Sequence, residues 1–179
     1  MTAIAWPYRR SGYGTIIADP PWRFEGKLRR ALETEVYDGT MSDAEILGLD
    51  VEGLAAATAH LFLWVTAAHL ELGLACVRRW GFVFKHEIVW CKVDGKLAPR
   101  LGGGSYGRHA HETCLFAARG RNASALVHDV PTWFVAPRLE HSAKPDKIHE
   151  IAEAMSPGPR VELFARRERR GWKAWGNQV

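Results

Sequence analysis

The chain has 179 residues, of which 47% are hydrophobic and 25% charged, a composition typical of one soluble globular domain. No apolar run approaches the roughly 18 residues of a membrane helix, and the first ten residues lack the pattern of a signal peptide. The net charge of +4 favours an anionic partner such as nucleic acid. No membrane partner is expected, because the chain lacks an apolar run of that length.

The three cysteines, Cys76, Cys91 and Cys114, lie far apart in the sequence. Their odd number and their apolar neighbours predict reduced, buried thiols. Such thiols are typical of a reducing compartment, so we expect a cytoplasmic protein.

Predicted strands and helices alternate along the chain. A strand over Tyr13–Ala18 is followed by a long loop over 27–40 and a helix that begins at Ser42, where Glu45 completes a capping box. The other predicted elements are strands over 60–65, 82–92, 112–118 and 160–164, a helix from Thr66 to Trp80, a loop over 97–108 and a helix over 144–155. This alternation predicts a single α/β domain over 1–179 with a largely parallel sheet.

The predicted first strand ends at the sequence "ADPPW". Pro20 and Pro21 lack N–H donors and fix φ, so neither continues a strand. Asp19 and Trp22 are therefore expected at the carboxyl end of a strand, which is where ligands bind in parallel sheets. The predicted strands that end at Trp64–Thr66 and at Phe164 would bring further groups to the same edge.

The Asp-Pro-Pro-Trp segment has the groups needed to act on an exocyclic amine of a flat base. The Asp19 carboxylate and the Pro20 carbonyl would each accept one N–H, which frees the nitrogen lone pair for attack. Pro21 and Trp22 would shape the slot, with the Trp22 indole as a stacking face. The alternative interpretation is an ordinary turn after a strand, with Asp19 as its cap.

The chain resembles the adenine-N6 methyltransferases of the messenger-RNA adenosine methyltransferase seventy-kilodalton subunit family, with their bacterial and phage relatives. The resemblance covers most of the chain and is carried by several blocks in a fixed order. After "ADPPW" these are "GTMSDAEI", "HLFLWVT", "WGF", "EIVWCK", "RHAHETCLFAARG", "HSAKPDKI", "SPGPRVELFARR" and "GWKAWGNQ".

The resemblance implies a Rossmann-like, S-adenosylmethionine-dependent methyltransferase sheet with helices on both faces and the catalytic motif ahead of the cofactor motif. It implies that Asp19, Pro20, Pro21 and Trp22 are catalytic. The residues that it implies for S-adenosylmethionine are Asp19, Lys144, Phe164, Arg166, Asn177 and Gln178.

Other side chains are candidates for binding the substrate because they lie in or beside the predicted loops and strand ends around the pocket. These candidates are Trp22, Tyr37, Trp64, Tyr106, Arg108 and Glu112. The His109-Ala110-His111-Glu112 run has the residue types of a metal site, but such runs are common by chance, so no metal is expected.

Three functions remain open at this point. The chain is predicted to methylate adenine N6 in DNA, as the bacterial and phage relatives are inferred to do. The same reaction on RNA is the first alternative. A catalytically silent, nucleic-acid-binding partner of an active methyltransferase is the second, and the intact Asp-Pro-Pro-Trp motif argues against it. Because members of the family often pair, the resemblance also makes a homodimer or heterodimer one of the expected assemblies.

Overall fold

The computed structural model describes residues 6–24, 40–94, 96–102, 106–138 and 143–179. The strands within these ranges are β1 (Tyr13–Ala18), β2 (Ala55–Val65), β3 (Val83–Val93), β4 (His111–Arg119), β5 (Trp133–Pro137), β6 (Arg160–Leu163) and β7 (Trp172–Trp175). The helices are α1 (Asp43–Leu47), α2 (Val51–Leu54), α3 (Leu70–Arg79) and α4 (Lys147–Met155), with a 3₁₀ turn over Ala67–His69.

The described strands form one seven-stranded sheet in the order β5-β3-β4-β2-β1-β6-β7. Only β4 runs against its neighbours β2 and β3; every other described pairing is parallel. The prediction of an α/β fold with a largely parallel sheet is therefore confirmed. Because β4 is reversed, its first residues lie at the edge where the other strands end.

The two faces of the sheet bury two apolar clusters. One face packs Ile16, Leu61 and Leu63 against α1, α2 and α3. The other packs Phe62 and Trp64 against Ile148, Ile151 and the rest of the apolar side of α4. Side chains alternate between the faces along each strand, as the two-residue period of β-structure requires. Helices thus cover both faces, as expected for a Rossmann-like methyltransferase sheet.

Several predicted boundaries agree with the structure. The first strand has its predicted limits, and the side chains of Ser42 and Glu45 form the predicted capping box at the start of α1. The strands predicted over 60–65, 82–92, 112–118 and 160–164 all exist with limits shifted by one to five residues. Most of the predicted loop over 27–40 lies outside the described residues, and the described parts of 97–108 belong to no strand or helix.

The start of the helix after β2 was predicted wrongly. Thr66 does not cap it through its side chain, because a 3₁₀ turn intervenes and the Thr66 hydroxyl instead hydrogen-bonds His69. Leu70, Leu74 and Val77 recur at helical spacing, which predicts that all three are core residues, but Leu70 is 42% exposed because the helix begins only there. Leu74 is half-buried and Val77 is buried, as predicted.

The last helix begins later than predicted. It starts at Lys147, with Asp146 as its N-cap. Pro145 therefore precedes the first turn, and Lys144 lies on the segment that leads into the helix. The edge strands β5 and β7 were not predicted. β7 consists of the four residues Trp-Lys-Ala-Trp and pairs with β6.

The three cysteines are free, and two of them, Cys76 and Cys114, are buried as predicted, whereas Cys91 is half-buried. Burial raises the pKa of the Cys76 thiol to about 12 and that of Cys114 well above its ordinary value. Both thiols are protonated at neutral pH and have a packing role. Among the described residues, no helix is both long and apolar enough to cross a membrane.

Candidate active site

The carboxyl end of β1 places Asp19 at the middle of the sheet, between β2 and β6. The next residues form a tight turn. The Trp22 N–H donates to the Pro20 carbonyl at 2.8 Å, and the Met41 N–H donates to the Pro21 carbonyl at 3.1 Å. The Pro20 carbonyl was expected to be free, but it accepts this bond within the turn. A carbonyl oxygen has two lone pairs, so one acceptor position remains.

Trp22 is held in place by burial, by one hydrogen bond and by stacking on a neighbouring ring. Its side chain is only 5% exposed, and its indole Nε1 donates to the Trp64 carbonyl at 3.0 Å. One face of the ring stacks on His69, with ring centroids 5.4 Å apart and planes inclined by 21°. Trp22 therefore stiffens the turn from within the core and presents little open surface for stacking.

His69 holds the segment after Trp22 in place, a role that sequence reasoning missed. Its Nδ1 hydrogen-bonds the Thr66 hydroxyl at 2.7 Å, and its Nε2 hydrogen-bonds the Arg23 carbonyl at 2.9 Å. Phe24 packs edge-on against the same ring. The only sequence signal was a histidine in the turn after a strand that ends at the proposed pocket.

Four charged side chains form a continuous network at this edge. The Lys144 Nζ lies 2.7 Å from Oδ2 of Asp19 and 3.3 Å from Oε2 of Glu112. The Lys92 Nζ lies 2.6 Å from Oε1 of Glu112. The side chains of Asp19, Glu112 and Lys144 are 22%, 21% and 13% exposed, so the network is sheltered but open to the pocket. Lys92 was not among the predicted site residues.

Chain direction explains how these residues meet. Asp19 follows a strand, whereas Glu112 lies near the start of the reversed strand β4, where Trp90 and Glu112 are register partners. Lys144 arrives from the segment before α4. The rule that ligands bind at the carboxyl ends of parallel strands predicts a residue such as Asp19. It does not predict an acid such as Glu112, which lies near the start of a reversed strand.

Burial raises the pKa of the Asp19 carboxyl, although Lys144 and Arg166 partly oppose this effect. Burial also acts to raise the pKa of Glu112, but the Lys144 and Lys92 ammonium groups outweigh it and hold that pKa below its ordinary value. Glu112 is thus held in its ionised form, whereas Asp19 is the carboxylate of this network that more readily accepts a proton.

Trp64 lies behind the network and is 1% exposed. The Lys144 Nζ sits 5.5 Å from the centre of its ring, within the range of a cation–π contact. Trp90 packs edge-on against Trp64 and holds Lys92 over its own ring at 5.3 Å. Trp64, predicted to line the substrate pocket, therefore supports the two lysines.

The predicted cofactor residues near the C-terminus come from two adjoining segments. The Ala165 N–H donates to the Trp175 carbonyl at 2.9 Å. A Cβ on Gly176 would lie 2.4 Å from the Ala165 carbonyl oxygen, so only glycine permits this close approach. Phe164 has a φ of +64° and packs edge-on against Trp175. Phe164, Arg166, Asn177 and Gln178 thereby lie at the edge occupied by Asp19.

Among the described residues, the predicted substrate residues Tyr106 and Arg108 form no contact with this network. Tyr106 is fully exposed, and the Arg108 Nε donates to the Gly102 carbonyl at 3.0 Å within its own loop. Tyr37 lies outside the described residues. Within the described part of the chain no group of histidine, cysteine and acidic side chains is arranged to hold a metal ion.

A seven-stranded, mostly parallel sheet with helices packed on both faces is the architecture of a Rossmann-like methyltransferase fold. Residues 13–178 match the family described as MT-A70. The chain therefore belongs to the MT-A70 family.

Three relatives illustrate the range of the family. The chain is 36% identical over 174 residues to the putative N(6)-adenosine-methyltransferase MT-A70-like of Medicago truncatula, a match that covers 93% of this chain and 26% of that protein. It is 34% identical over 176 residues to the human N(6)-adenosine-methyltransferase catalytic subunit METTL3, covering 93% and 28%. It is 26% identical over 190 residues to the type II methyltransferase M.MunI of a Mycoplasma species, covering 95% and 79%.

The chain thus spans about a quarter of the length of the first two relatives and most of the third.

Proposed function

We propose that the protein transfers a methyl group from S-adenosylmethionine to the exocyclic N6 amine of adenine in nucleic acid. The observation that carries this proposal is the Asp19 carboxylate, which lies at the end of β1 beside the Pro20 carbonyl and in contact with Lys144. Membership of a family whose relatives are named as N(6)-adenosine-methyltransferases supports the chemistry.

The adenine amine is a poor nucleophile because its lone pair is delocalised into the ring. Asp19 and the remaining acceptor position on Pro20 would each take one N–H of the amine. This arrangement directs the lone pair away from the ring plane and towards the methyl group. Formation of the C–N bond would be matched by breakage of the bond between the methyl carbon and the cofactor sulfur, which would keep the electron pair and leave as a neutral thioether. The nitrogen would then release one proton, and the raised pKa of Asp19 suits it to receive that proton before passing it to water.

The residues of the β6 and β7 edge fit the proposed cofactor, which supplies a methyl group on a positively charged sulfur. The Asn177 and Gln178 amides can donate to and accept from ribose hydroxyls or an adenine edge. The Arg166 guanidinium suits a carboxylate. Phe164 offers an apolar contact, and the Gly176–Ala165 approach holds the two segments together.

DNA is the proposed polymer, and RNA is the alternative. The match to 79% of a type II methyltransferase supports DNA, whereas the higher identities are to proteins named as N(6)-adenosine-methyltransferases. A silent binding partner is disfavoured because Asp19 and Lys144 are both present and in contact.

The proposal is tested by offering labelled S-adenosylmethionine together with double-stranded DNA, single-stranded DNA or RNA and digesting the products. N6-methyladenine in a DNA substrate supports the proposal in full. N6-methyladenine in RNA alone supports the reaction but contradicts the choice of DNA as the polymer. Cofactor binding without methylation of any polymer contradicts an autonomous enzyme, and no cofactor binding favours the silent partner.

A further inference from the structure

A second concave surface lies at the opposite edge of the sheet from Asp19. We define the amino-edge cleft as the space between the start of β3, the end of β4 and the segment 120–132. It has a volume of about 680 Å³, with Phe116 and Met155 among the residues that line it. Strand β4 runs from the charged network to this cleft. Glu112 lies near its start, and Arg119 follows seven positions later at its end. At about 3.4 Å per residue the two sites are about 24 Å apart.

The charge of the cleft is one-sided. Its polar lining includes Lys85, His86, Arg119 and His128, and among the described residues no aspartate or glutamate lines it. The two sequence segments that border it, 78–86 and 119–132, together contain five lysine or arginine residues and one acid, Asp129. The whole chain, by contrast, has 24 basic and 20 acidic residues. This local imbalance favours an anionic ligand.

The cations of the cleft differ in how firmly they are held. Arg119 is engaged: it lies 3.6 Å from the Glu52 carboxylate, donates to the Glu52 carbonyl and covers the Phe82 ring. Lys85 and Arg121 are exposed and, within the described ranges, form no ion pair with a carboxylate. They remain available for a ligand.

The floor of the cleft is aromatic and rigid. His86 lies against the Phe116 ring, with centroids 4.9 Å apart and planes inclined by 32°. Beneath, the buried His60 packs edge-on on the same ring and hydrogen-bonds Ser156 and the Ala123 carbonyl. The bond to Ala123 fixes the segment that carries Arg121. Phe116 is only 5% exposed, so the half-buried His86 is the ring that can face a ligand in the cleft. A flat ring beside exposed cations is a combination that binds single-stranded nucleic acid.

We infer that the amino-edge cleft binds the phosphodiester backbone of the substrate nucleic acid at a distance from the target adenine. This inference rests on the proposed function, since it assigns a second contact to the same substrate. An extended polyanion is favoured over a compact one because Arg121 lies beside the cleft lining and prolongs its positive surface. A strand advances about 3.4 Å per nucleotide, so about seven nucleotides span the two sites.

The test compares two double variants with the same loss of charge. K85Q/R121Q removes Lys85, which lines the cleft, and Arg121, which lies between the lining residues Gly120 and Asn122. R170Q/K173Q removes two exposed cations near the start of β7, at the far end of the sheet. Thermal unfolding first establishes that both variants fold. Affinity is then measured without cofactor by fluorescence anisotropy, using labelled single-stranded DNA and RNA of about six and about twenty nucleotides.

We expect wild type to bind the long oligonucleotide more tightly than the short one, and K85Q/R121Q to lose that difference. Each lost phosphate contact should weaken binding roughly fivefold to tenfold at about 0.1 M salt and lower the salt slope by about 0.7 to 0.9. R170Q/K173Q should retain the length dependence. Adenosine monophosphate should not displace the long oligonucleotide at concentrations close to that of the protein.

Three results would overturn the inference: an unchanged length dependence in K85Q/R121Q, an equal loss in R170Q/K173Q, or displacement by adenosine monophosphate as effective as that by the oligonucleotide. The last would assign the cleft to a free nucleotide. Because binding is measured without cofactor, failure of methylation with an intact length dependence would reject the proposed function and leave the cleft in place.

Discussion

The two edges of the sheet treat charge in opposite ways. At the carboxyl edge, Asp19, Glu112, Lys92 and Lys144 contact one another and are mostly sheltered, so positive and negative charges balance. At the amino edge, the cleft beside Lys85 presents cations with no acid in its described lining. Balanced, half-buried charges fix positions and tune pKa values, whereas an unbalanced open surface attracts a polyanion. The comparison assigns methyl transfer to the carboxyl edge of the sheet and binding of the substrate backbone to the amino edge.

The largest expected effect comes from Asp19→Asn, which keeps the shape of the side chain and removes its negative charge. Methyl transfer should fall by on the order of 10³-fold, because the amine loses its anionic hydrogen-bond acceptor. Binding of S-adenosylmethionine should survive at least in part. Single-turnover methyl transfer and calorimetric cofactor binding measure the two quantities, and Glu71→Gln, at an exposed acid in the first turn of α3, is the control. Full activity in the Asp19 variant would exclude the mechanism.

Replacement of Lys144 by Met tests the balance of charge itself. Lys144 lowers the pKa of Asp19, which burial raises, so its removal should raise that pKa further. Because the ionised carboxylate is the active form, activity falls as pH falls through this pKa. The acidic limb of the pH–rate profile should therefore move to higher pH, so that the variant loses activity relative to wild type as the pH falls.

The control for that change is Lys147→Met, which removes an exposed lysine paired only with Glu150 among the described residues. It should leave the acidic limb in place. An unmoved limb in the Lys144 variant would show that the pairing with Asp19 does not tune the reaction.

A smaller effect is expected from Asn177→Ala. Loss of hydrogen bonds to the cofactor should weaken S-adenosylmethionine binding about tenfold, corresponding to roughly 1.4 kcal/mol. The affinity for long oligonucleotides should not change, because the cleft lies at the other edge. Lys144→Ala is also expected to weaken cofactor binding. If neither substitution changes cofactor affinity, measured by calorimetry, the cofactor site is wrongly assigned.

The smallest effect concerns stability at the carboxyl edge. Trp22→Phe keeps an aromatic ring but removes the indole N–H that donates to the Trp64 carbonyl. The free energy of unfolding should fall by about 1 kcal/mol, as for other buried hydrogen bonds. Denaturant titration measures this, with the exposed Trp133→Phe as the control. Equal stability of the two variants would remove the proposed role of the bond.

The sequence allowed much of the fold to be predicted, because apolar runs such as Ile16-Ile17-Ala18 and the Ser42–Glu45 capping box are local signals. Pairing of short edge strands is not local, so β5 and β7 were missed. The position of Asp19 followed from the prolines after it. The contacts of Lys92 and Glu112 could not be predicted from the sequence, because they depend on the reversed direction of β4.

The same limit applies to aromatic side chains. Trp22 and Trp64 were predicted as surfaces for the base, but the structure buries both within the two apolar clusters. An aromatic residue beside a catalytic carboxylate can either line the pocket or brace its wall, and composition does not distinguish the two. The roles of the catalytic and cofactor residues stay predictions until they are measured.

The most direct test of the central claim is the methyl-transfer assay with wild type and Asp19→Asn side by side on DNA and RNA. We expect wild type to form N6-methyladenine, with DNA as the preferred polymer. The variant should form on the order of 10³-fold less although it still binds the cofactor. Equal amounts of N6-methyladenine from both proteins would contradict the assignment of Asp19. The absence of product from wild type on every polymer would contradict methyl transfer by this chain alone.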